Sequence, residues 1–261
     1  MTTPLGRSFA IQSRVIHALL MREVITRYGR HNIGFLWLFV EPMLFTLGVS
    51  LIWSAMRALH GSNIPIVAFA LTGYSTLILW RNMPGRCIGA IQPNQSLLYH
   101  RHVKPVDIYL SRLILELAGA TASFLFLAVL FIAFELMAPP EDVLKVVFGW
   151  AMIAWFGFAT GMLVGGLSER SDLVDRLWHP LTYFMLPFSG VFSLVDALPP
   201  IGRDLVLALP MAHGVELIRD GFFGSAVTTH YNLPYMAAFC LVLSLLGLAE
   251  VRGVGRRLTP G

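Results

Sequence analysis

The stretch RYGRHNIGFLWLFVEPMLFTLGVSLIW, residues 27–53, indicates the class of fold to which this chain belongs. Its basic and polar start leads directly into an apolar run long enough to cross a bilayer, whose hydrocarbon core of about 30 Å needs about 20 helical residues. Glu41 and Pro42 lie inside that run. A carboxylate within a span usually faces a bundle interior, a cavity or a partner, and proline frees a backbone carbonyl. The pair predicts a polar, kinked point, which fits either a structural kink or a gate.

The composition of the whole chain supports a membrane protein. Of its 261 residues, 56% are hydrophobic and only 13% are charged, whereas soluble domains carry roughly 25% charged residues. Cys87 and Cys240 lie far apart, without the spacing of a metal site or a disulfide framework. We expect no cleavable leader, because the segment before the first apolar run is long and polar. The sequence therefore predicts an all-α integral membrane protein with one transmembrane domain, residues 1–261.

Six segments are long and apolar enough to be membrane-spanning helices. They are residues 34–56, 64–80, 108–137, 146–167, 177–194 and 233–249. An even number of spans puts both termini on one side, and fourteen Lys and Arg residues then fall on that side and four on the other. Because basic residues are enriched in cytoplasmic segments, we expect both termini in the cytoplasm. The same bias explains the positive net charge, so we expect no nucleic-acid partner.

Two further segments are expected to be helical without crossing the membrane. Residues 8–30 combine Ile11, Val15 and Leu19 with arginines, which favours an interfacial amphipathic helix over an ordinary solvated one. Residues 196–224 are half apolar, and prolines divide them into pieces too short to span. This pattern predicts short re-entrant helices between spans five and six, and the alternative is a pair of helices lying flat on the outer surface.

The residue patterns of common enzymes are missing from the sequence. Lys104 and Lys145 are its two lysines, and neither lies in the glycine-rich context of a phosphate-binding loop. We therefore expect no ATP hydrolysis by this chain. Asp172 and Asp175 resemble the acidic site of a membrane prenyltransferase, but an exposed, charge-paired helix start explains them more simply. We predict neither catalytic residues nor a metal site, and an intramembrane transferase or a channel without ATP coupling remain the alternatives.

Three motifs, taken in order along the predicted topology, resemble the membrane subunits of ABC-2 type exporters. They are LLMREVITRYGRHNIGFLWLFVEPML at 19–44, SERSDLVDRLWHPLTYFMLPFSGVFSLVDALP at 168–199 and LPMAHGVELIRDGFFG at 209–224. In the third motif, Leu209 stands where the family usually has Asn, which affects a local turn or cap. The chain most resembles the capsular polysaccharide export permeases of Gram-negative bacteria. O-antigen, lipo-oligosaccharide and drug exporters share this fold.

The resemblance implies a bacterial inner-membrane permease that works as a homodimer with two copies of a separate cytoplasmic ATPase. ATP and magnesium would be bound by that ATPase, and this chain would bind no cofactor. The implied substrate is a lipid-linked, usually anionic polysaccharide, which periplasmic and outer-membrane export proteins would carry onward. The pore would lie on the dimer axis and be lined by spans one, two and five.

The resemblance and the residues together single out three groups of candidate site residues. The entrance group, whose basic members are also suited to holding lipid phosphates, consists of Arg27, Arg30, His31, Glu41 and Pro42. The aromatic group would offer flat faces to sugar rings, unless its members face lipid or the core. It consists of Trp37, Phe45, Trp53, Tyr74, Tyr183, Phe184, Phe188 and Phe192. The ATPase-coupling group consists of Leu97, Leu98, Tyr99, Arg101, Lys104, Arg170 and Asp172.

Overall fold

The computed structural model describes residues 4–28, 65–99 and 103–258, together with the helical positions 36, 40, 43–44, 46–49 and 51–52. The described part is helical and contains no strand, which confirms the predicted all-α class. The helices are α1, Pro4–Tyr28; α2, Ile66–Cys87; α3, Pro105–Ala133; α4, Val143–Ser168; α5, Asp172–Met185; α6, Pro200–Leu207; α7, Pro210–Phe223; and α8, Leu233–Leu258. Short 3-10 helices occupy Gln92–Tyr99, Val195–Ala197 and Gly224–Ala226.

Three of the described helices, α3, α4 and α8, are long and apolar enough to cross a membrane. They overlap the predicted spans 108–137, 146–167 and 233–249. Helix α2 overlaps the predicted span 64–80 and continues to Cys87. The predicted first span, 34–56, lies outside the described residues except for these helical positions between 36 and 52. The count of six spans therefore stays a prediction.

The helix in the region of the fifth predicted span, 177–194, is shorter than expected. Helix α5 begins earlier, at Asp172, and already ends at Met185. Its 14 residues extend about 21 Å at 1.5 Å per residue, which is less than the hydrocarbon thickness of about 30 Å. Pro187 lacks an N–H group for a further helical turn, and Gly190 has a φ of 74°, which favours glycine. The chain therefore turns here instead of continuing as helix.

Helix α4 forms the centre of the bundle, because it packs against α2, α7 and α8. Glycines on α4 lie where other helices pass closest. A Cβ atom on Gly157 would lie 2.4 Å from the Sδ of Met83, and one on Gly165 would lie 2.8 Å from the Cβ of Cys87. Small residues at such contacts allow membrane helices to approach closely. The glycines of α4 therefore set the spacing of the bundle.

The substitution Gly165→Ala should destabilise the protein by about 1–3 kcal/mol, the usual cost of overpacking a filled core. The new methyl group would meet Cys87 of α2 and the ring of Tyr109 of α3, where it would lie 2.7 Å from Cε1. Thermal unfolding of the purified full chain in detergent measures the effect. Gly255→Ala on α8 is the matched control, because its Cβ would meet Pro105 at an ordinary 3.7 Å. Equal melting temperatures for the two variants would contradict this close approach.

Contacts between loops and helix ends define two ends of the bundle. At one end, Arg170, just after α4, pairs with Glu250 of α8 at 2.7 Å. We call this the α1 end, because α1 packs against α3 there. At the opposite end, the Asp142 N–H before α4 donates to the Gly221 carbonyl of α7 at 2.9 Å, and we call this the α7 end. Helix α1 and the last turns of α8 thus lie at the same end.

Two short helices, α6 and α7, occupy most of the segment 196–224. Each has a proline at its first position, Pro200 and Pro210 respectively, where the missing N–H group breaks no helical hydrogen bond. Every residue of α7 except Asp220 is buried. The helix packs against α4, α2 and α8. It is therefore an interior element of the bundle rather than a surface loop.

Candidate functional site

Helix α1 is attached to α3 by polar side-chain pairs. The Gln12 amide donates to the carboxylate of Asp107, which lies in the first turn of α3. Near the other end of α1, Glu23 forms an ion pair with Arg112, with 3.1 Å between Oε1 and Nε. Only 13% of the Glu23 side chain and 15% of the Arg112 side chain are exposed. Removing one partner of an ion pair that is shielded from water is strongly destabilising, because the other charge is left without a partner. These contacts therefore fix the position of α1 on α3.

A second set of polar contacts continues from α1 to α2 and the 3-10 helix. Arg22 donates to the side chain of Asn94. Arg112 donates through Nη1 to the Arg86 carbonyl at 2.9 Å, and the Arg86 side chain pairs with Glu116 at 3.0 Å. Three arginines from three helices therefore lie close together at the α1 end.

The two loop segments predicted to contact the ATPase lie side by side. The Ile91 N–H, directly before the 3-10 helix Gln92–Tyr99, donates to Glu169 Oε1 at 3.3 Å. The Gly89 N–H donates to Ser168 Oγ at 3.3 Å. Burial raises the pKa of the Glu169 carboxyl, and the hydrogen bond from Ile91 opposes that rise. A displacement of the 3-10 helix segment would therefore also move the loop after α4, and the reverse.

Members of the coupling group on the 3-10 helix divide into packed and exposed residues. Leu97 and Leu98 are half-buried and pack against the hydrophobic core. The side chain of Tyr99 is 85% exposed. Arg101 lies outside the described residues. The leucines thus hold the 3-10 helix on the bundle, and the tyrosine is presented to the surroundings.

The remaining members of the coupling group stabilise helix ends. The Lys104 N–H donates to Asp107 Oδ2 at 2.8 Å, which caps α3. Arg170 is paired with Glu250 of α8. Asp172 is exposed in the first turn of α5, where a negative charge is favoured by the helix dipole. Lys104 and Arg170 therefore have local structural partners in addition to any role in coupling.

The described members of the aromatic group lie on α2, on α5 and in the turn after α5. Tyr74 is half-buried and packs against the core. Three others are exposed, namely Tyr183, Phe184 and Phe192. The guanidinium group of Arg81 lies 4.3 Å above the ring centre of Tyr183, a cation–π contact between α2 and α5. The Phe184 and Phe188 rings are 5.8 Å apart. The residues Trp37, Phe45 and Trp53 lie outside the described residues.

The entrance group falls outside the part of the chain whose side chains are described. Its members are Arg27, Arg30, His31, Glu41 and Pro42. Of these, Arg27 belongs to helix α1 through its backbone. The role assigned to this group stays a prediction.

At the α7 end, a fully buried arginine holds the turn that follows α5. Arg219 donates through Nη1 to the carbonyls of Gly190 and Ser193, at 2.5 and 2.8 Å, and through Nη2 to that of Val191 at 2.5 Å. Its guanidinium group also lies 4.1 Å above the ring centre of Phe69. Since 0% of its side chain is exposed, this charge depends entirely on protein partners.

The partners of Arg219 come from several parts of the chain. Glu216, one turn earlier on α7, lies 3.7 Å away and is also fully buried. Its other carboxylate oxygen accepts from the His230 N–H at 3.1 Å. Gly73 of α2 leaves room for the turn, because a Cβ there would lie 2.8 Å from the Val191 carbonyl oxygen. Arg219 therefore connects α7, α2 and the end of α5.

Comparison of the sequence with known protein families shows the family to which this chain belongs. The sequence profile described as "ABC-2 type transporter" matches residues 14–223. The chain belongs to the ABC-2 type transporter family. The matched residues run from within α1 to the last residue of α7, so they include the pair of Glu23 and Arg112 and the pair of Glu216 and Arg219.

This ABC-2 family member is similar over nearly its full length to proteins of known role. It is 45% identical to the capsule polysaccharide export inner-membrane protein CtrC of Neisseria meningitidis serogroup B, over 99% of this chain and 97% of the relative. It is 43% identical to the capsule polysaccharide export inner-membrane protein BexB of Haemophilus influenzae, with the same coverage. The polysialic acid transport protein KpsM of Escherichia coli is 29% identical over 94% of this chain and 95% of the relative.

Sequence reasoning placed the ABC-2 chain in its family but missed its main polar contacts. Arg219 lies within the third motif, at 209–224, and the motif alone indicates no role for it. Its spacing of three residues from Glu216 in a half-apolar segment was the available signal, because a paired charge within apolar surroundings marks a structural or functional site. The pair of Glu23 and Arg112 has no such local signal, since its partners lie on helices far apart in the sequence.

Proposed function

We propose that this chain is the inner-membrane permease subunit of an ATP-driven exporter that moves capsular polysaccharide out of the cytoplasm. The single observation that carries the proposal is the identity of 45% and 43% over 99% of the chain to two capsule polysaccharide export proteins. Similarity of this extent covers the polar clusters at both ends as well as the spans. It therefore concerns the whole membrane domain rather than one motif.

We place both termini in the cytoplasm, in a chain that crosses the membrane six times. Helix α1 and the last turns of α8 share one end of the bundle, and basic residues are concentrated at that end. Helix α1 would then lie at the cytoplasmic membrane surface, held there by its pairs with α3.

We also propose that α6 and α7 form a re-entrant pair at the outer side. Irregular or short elements are tolerated at membrane depth only where they are buried in protein or line a cavity. Helix α7 meets this condition, because it is surrounded by α4, α2 and α8 and all but one of its residues are buried. The flat surface location considered for this segment would leave α7 far more exposed.

The permease would work as a homodimer with two copies of a cytoplasmic ATPase that binds ATP and magnesium. Helix α5 supports a role at a subunit boundary, because Thr182 is its one buried residue. A second permease subunit and the path of the glycan would cover its exposed aromatic face. Periplasmic and outer-membrane export proteins would receive the lipid-linked polysaccharide.

Deletion of the gene in its native host tests the proposed function. If the permease exports capsular polysaccharide, the glycan should accumulate inside the cell while the surface is bare. Expression of the wild-type chain should restore the surface coat. An unchanged coat after deletion would refute the polysaccharide assignment and favour another substrate of the same fold.

The exposed tyrosine of the 3-10 helix should contribute to binding of the ATPase. We expect Tyr99→Ala to weaken co-purification of the ATPase about tenfold, because exposed tyrosines are frequent energetic centres of protein interfaces. Quantitative affinity purification of the tagged permease measures this. Phe134→Ala is the matched control, because Phe134 is 68% exposed but follows α3 near the opposite end. Equal recovery of the ATPase with both variants would exclude Tyr99 from the interface.

A further inference from the structure

A cavity of about 400 Å³ lies at the α1 end between α1, the end of α2 and the start of the 3-10 helix. Its walls include the side chains of Arg22, Arg86 and Arg112, one from each of α1, α2 and α3. Glu23 is the one carboxylate residue among its described lining residues. The cavity is separate from the exposed aromatic face of α5 and from the Arg219 cluster.

The charges around the cavity favour an anion. Three guanidinium groups line it, and two carboxylates pair with them, those of Glu23 and Glu116. The lining itself is basic, because Glu23 is the one carboxylate residue that faces three guanidinium groups there, while Glu116 and Glu169 act on Arg86 and Arg112 from outside the described lining. Arginines that converge from different helices repel one another unless an anion or carboxylates lie between them. A bound anion would therefore be favoured over an empty cavity.

The arginines also have hydrogen-bond donors in reserve. Each guanidinium group carries five N–H donors. Within the described part of the chain, Arg22 donates to Asn94 and Arg112 donates through Nη1 to the Arg86 carbonyl, while Arg112 Nε makes no hydrogen bond. Arginine donates two parallel hydrogen bonds to the oxygens of a phosphate group, which is the geometry that these side chains favour.

The exposure of the arginines indicates how a ligand would enter. The Arg112 side chain is 15% exposed and lies at the closed side, whereas that of Arg86 is 40% exposed. Arg22 and Thr26 of α1 are exposed at the rim. A small head group can thus enter while longer chains attached to it remain outside. Basic pockets of this kind at the cytoplasmic ends of membrane helices suit anionic lipid head groups.

We propose that this cavity binds the phosphate group of an amphiphile at the membrane surface. The amphiphile is either an anionic phospholipid of the bilayer or a phosphate-linked glycolipid, and the second source rests on the proposed export function. In both cases the phosphate oxygens accept hydrogen bonds from Arg22 and Arg86, and Arg112 forms the floor. Occupancy would link α1 to the end of α2 through the ligand.

Lipid retention by the purified full chain tests the proposal. The wild type and variants are incubated with vesicles of phosphatidylcholine containing phosphatidylglycerol, and bound lipid is measured by native mass spectrometry. We expect Arg86→Gln and Arg22→Gln each to weaken retention of phosphatidylglycerol about tenfold, which corresponds to about 1.4 kcal/mol. Arg256→Gln is the matched control, because Arg256 is exposed near the end of α8 and does not line the cavity.

Two lipid extracts distinguish the sources of the phosphate. One comes from the native host and the other from the same host without its glycan-synthesis genes. Retention that depends on Arg86 with both extracts identifies a bilayer phospholipid, and dependence with the first extract alone identifies the glycolipid. Equal retention by the wild type, both cavity variants and the control overturns the proposal. Because export is measured separately by gene deletion, failure of this site would leave the proposed function intact.

Discussion

Replacing Arg219 with methionine should strongly destabilise the protein and abolish export with it. Methionine fills much of the same volume but cannot donate to the carbonyls of Gly190, Val191 and Ser193. It would also leave the buried carboxylate of Glu216 without its cation. Removing one partner of a buried charge pair costs about 3–5 kcal/mol, which is a large part of the stability of a typical domain.

Denaturant unfolding of the purified full chain, together with surface staining of the glycan, measures this loss. Arg203→Gln is the matched control, because the Arg203 side chain is 33% exposed where it pairs with Asp196, and exposed pairs contribute at most about 1 kcal/mol. The double variant Arg219→Met with Glu216→Leu should recover part of the stability, since it removes the unpaired carboxylate. If Arg219→Met is as stable as Arg203→Gln, the buried network does not support the fold.

The end of α5 was missed because hydropathy outweighed the local signals at Pro187 and Gly190, and because Arg219 stabilises the turn from a distant part of the chain. Hydropathy identified α3, α4 and α8 because each is a long apolar run that needs no distant partner to be recognised. It also extended the fifth span through Phe188 and Phe192, which are apolar. The turn at Gly190 and Val191 is instead stabilised by Arg219, which lies almost thirty residues later. The hydropathy of residues 177–194 does not depend on a side chain so far away in the sequence.

In the candidate site, too, the segments are visible in the sequence, but the contacts between residues far apart in the sequence are not. The family resemblance implied a relay through cytoplasmic contacts, and the segment of the 3-10 helix and the loop after α4 were the candidate coupling segments. It did not show that Ile91 contacts Glu169 or that Gln12 contacts Asp107, since these partners are 78 and 95 residues apart. Pairing of this kind follows from the packing of the helices around α4. The coupling role of these segments stays a prediction, and sequence reasoning missed the contacts between them.

The second large effect concerns the attachment of α1. The substitution Arg112→Glu should detach the end of α1 from α3, because Glu23 lies 3.1 Å from the replaced side chain and would then face a like charge. The hydrogen bond to the Arg86 carbonyl, at 2.9 Å, would also be lost. We expect a cost of about 2–3 kcal/mol, somewhat below that of a fully buried pair, since water reaches both side chains. Faster tryptic cleavage within α1 and reduced export are the measured results.

A charge swap separates the attachment of α1 from a general effect on folding. Arg112→Glu combined with Glu23→Arg restores an attractive pair but not the hydrogen bond to Arg86, so protease resistance and export should recover in part and together. Arg256→Glu, at the exposed end of α8, carries the same charge change and should leave both unchanged. A swap that restores neither property would mean that the position of α1 does not depend on this pair. Recovery of both would show that export requires α1 to be held against α3 by this pair.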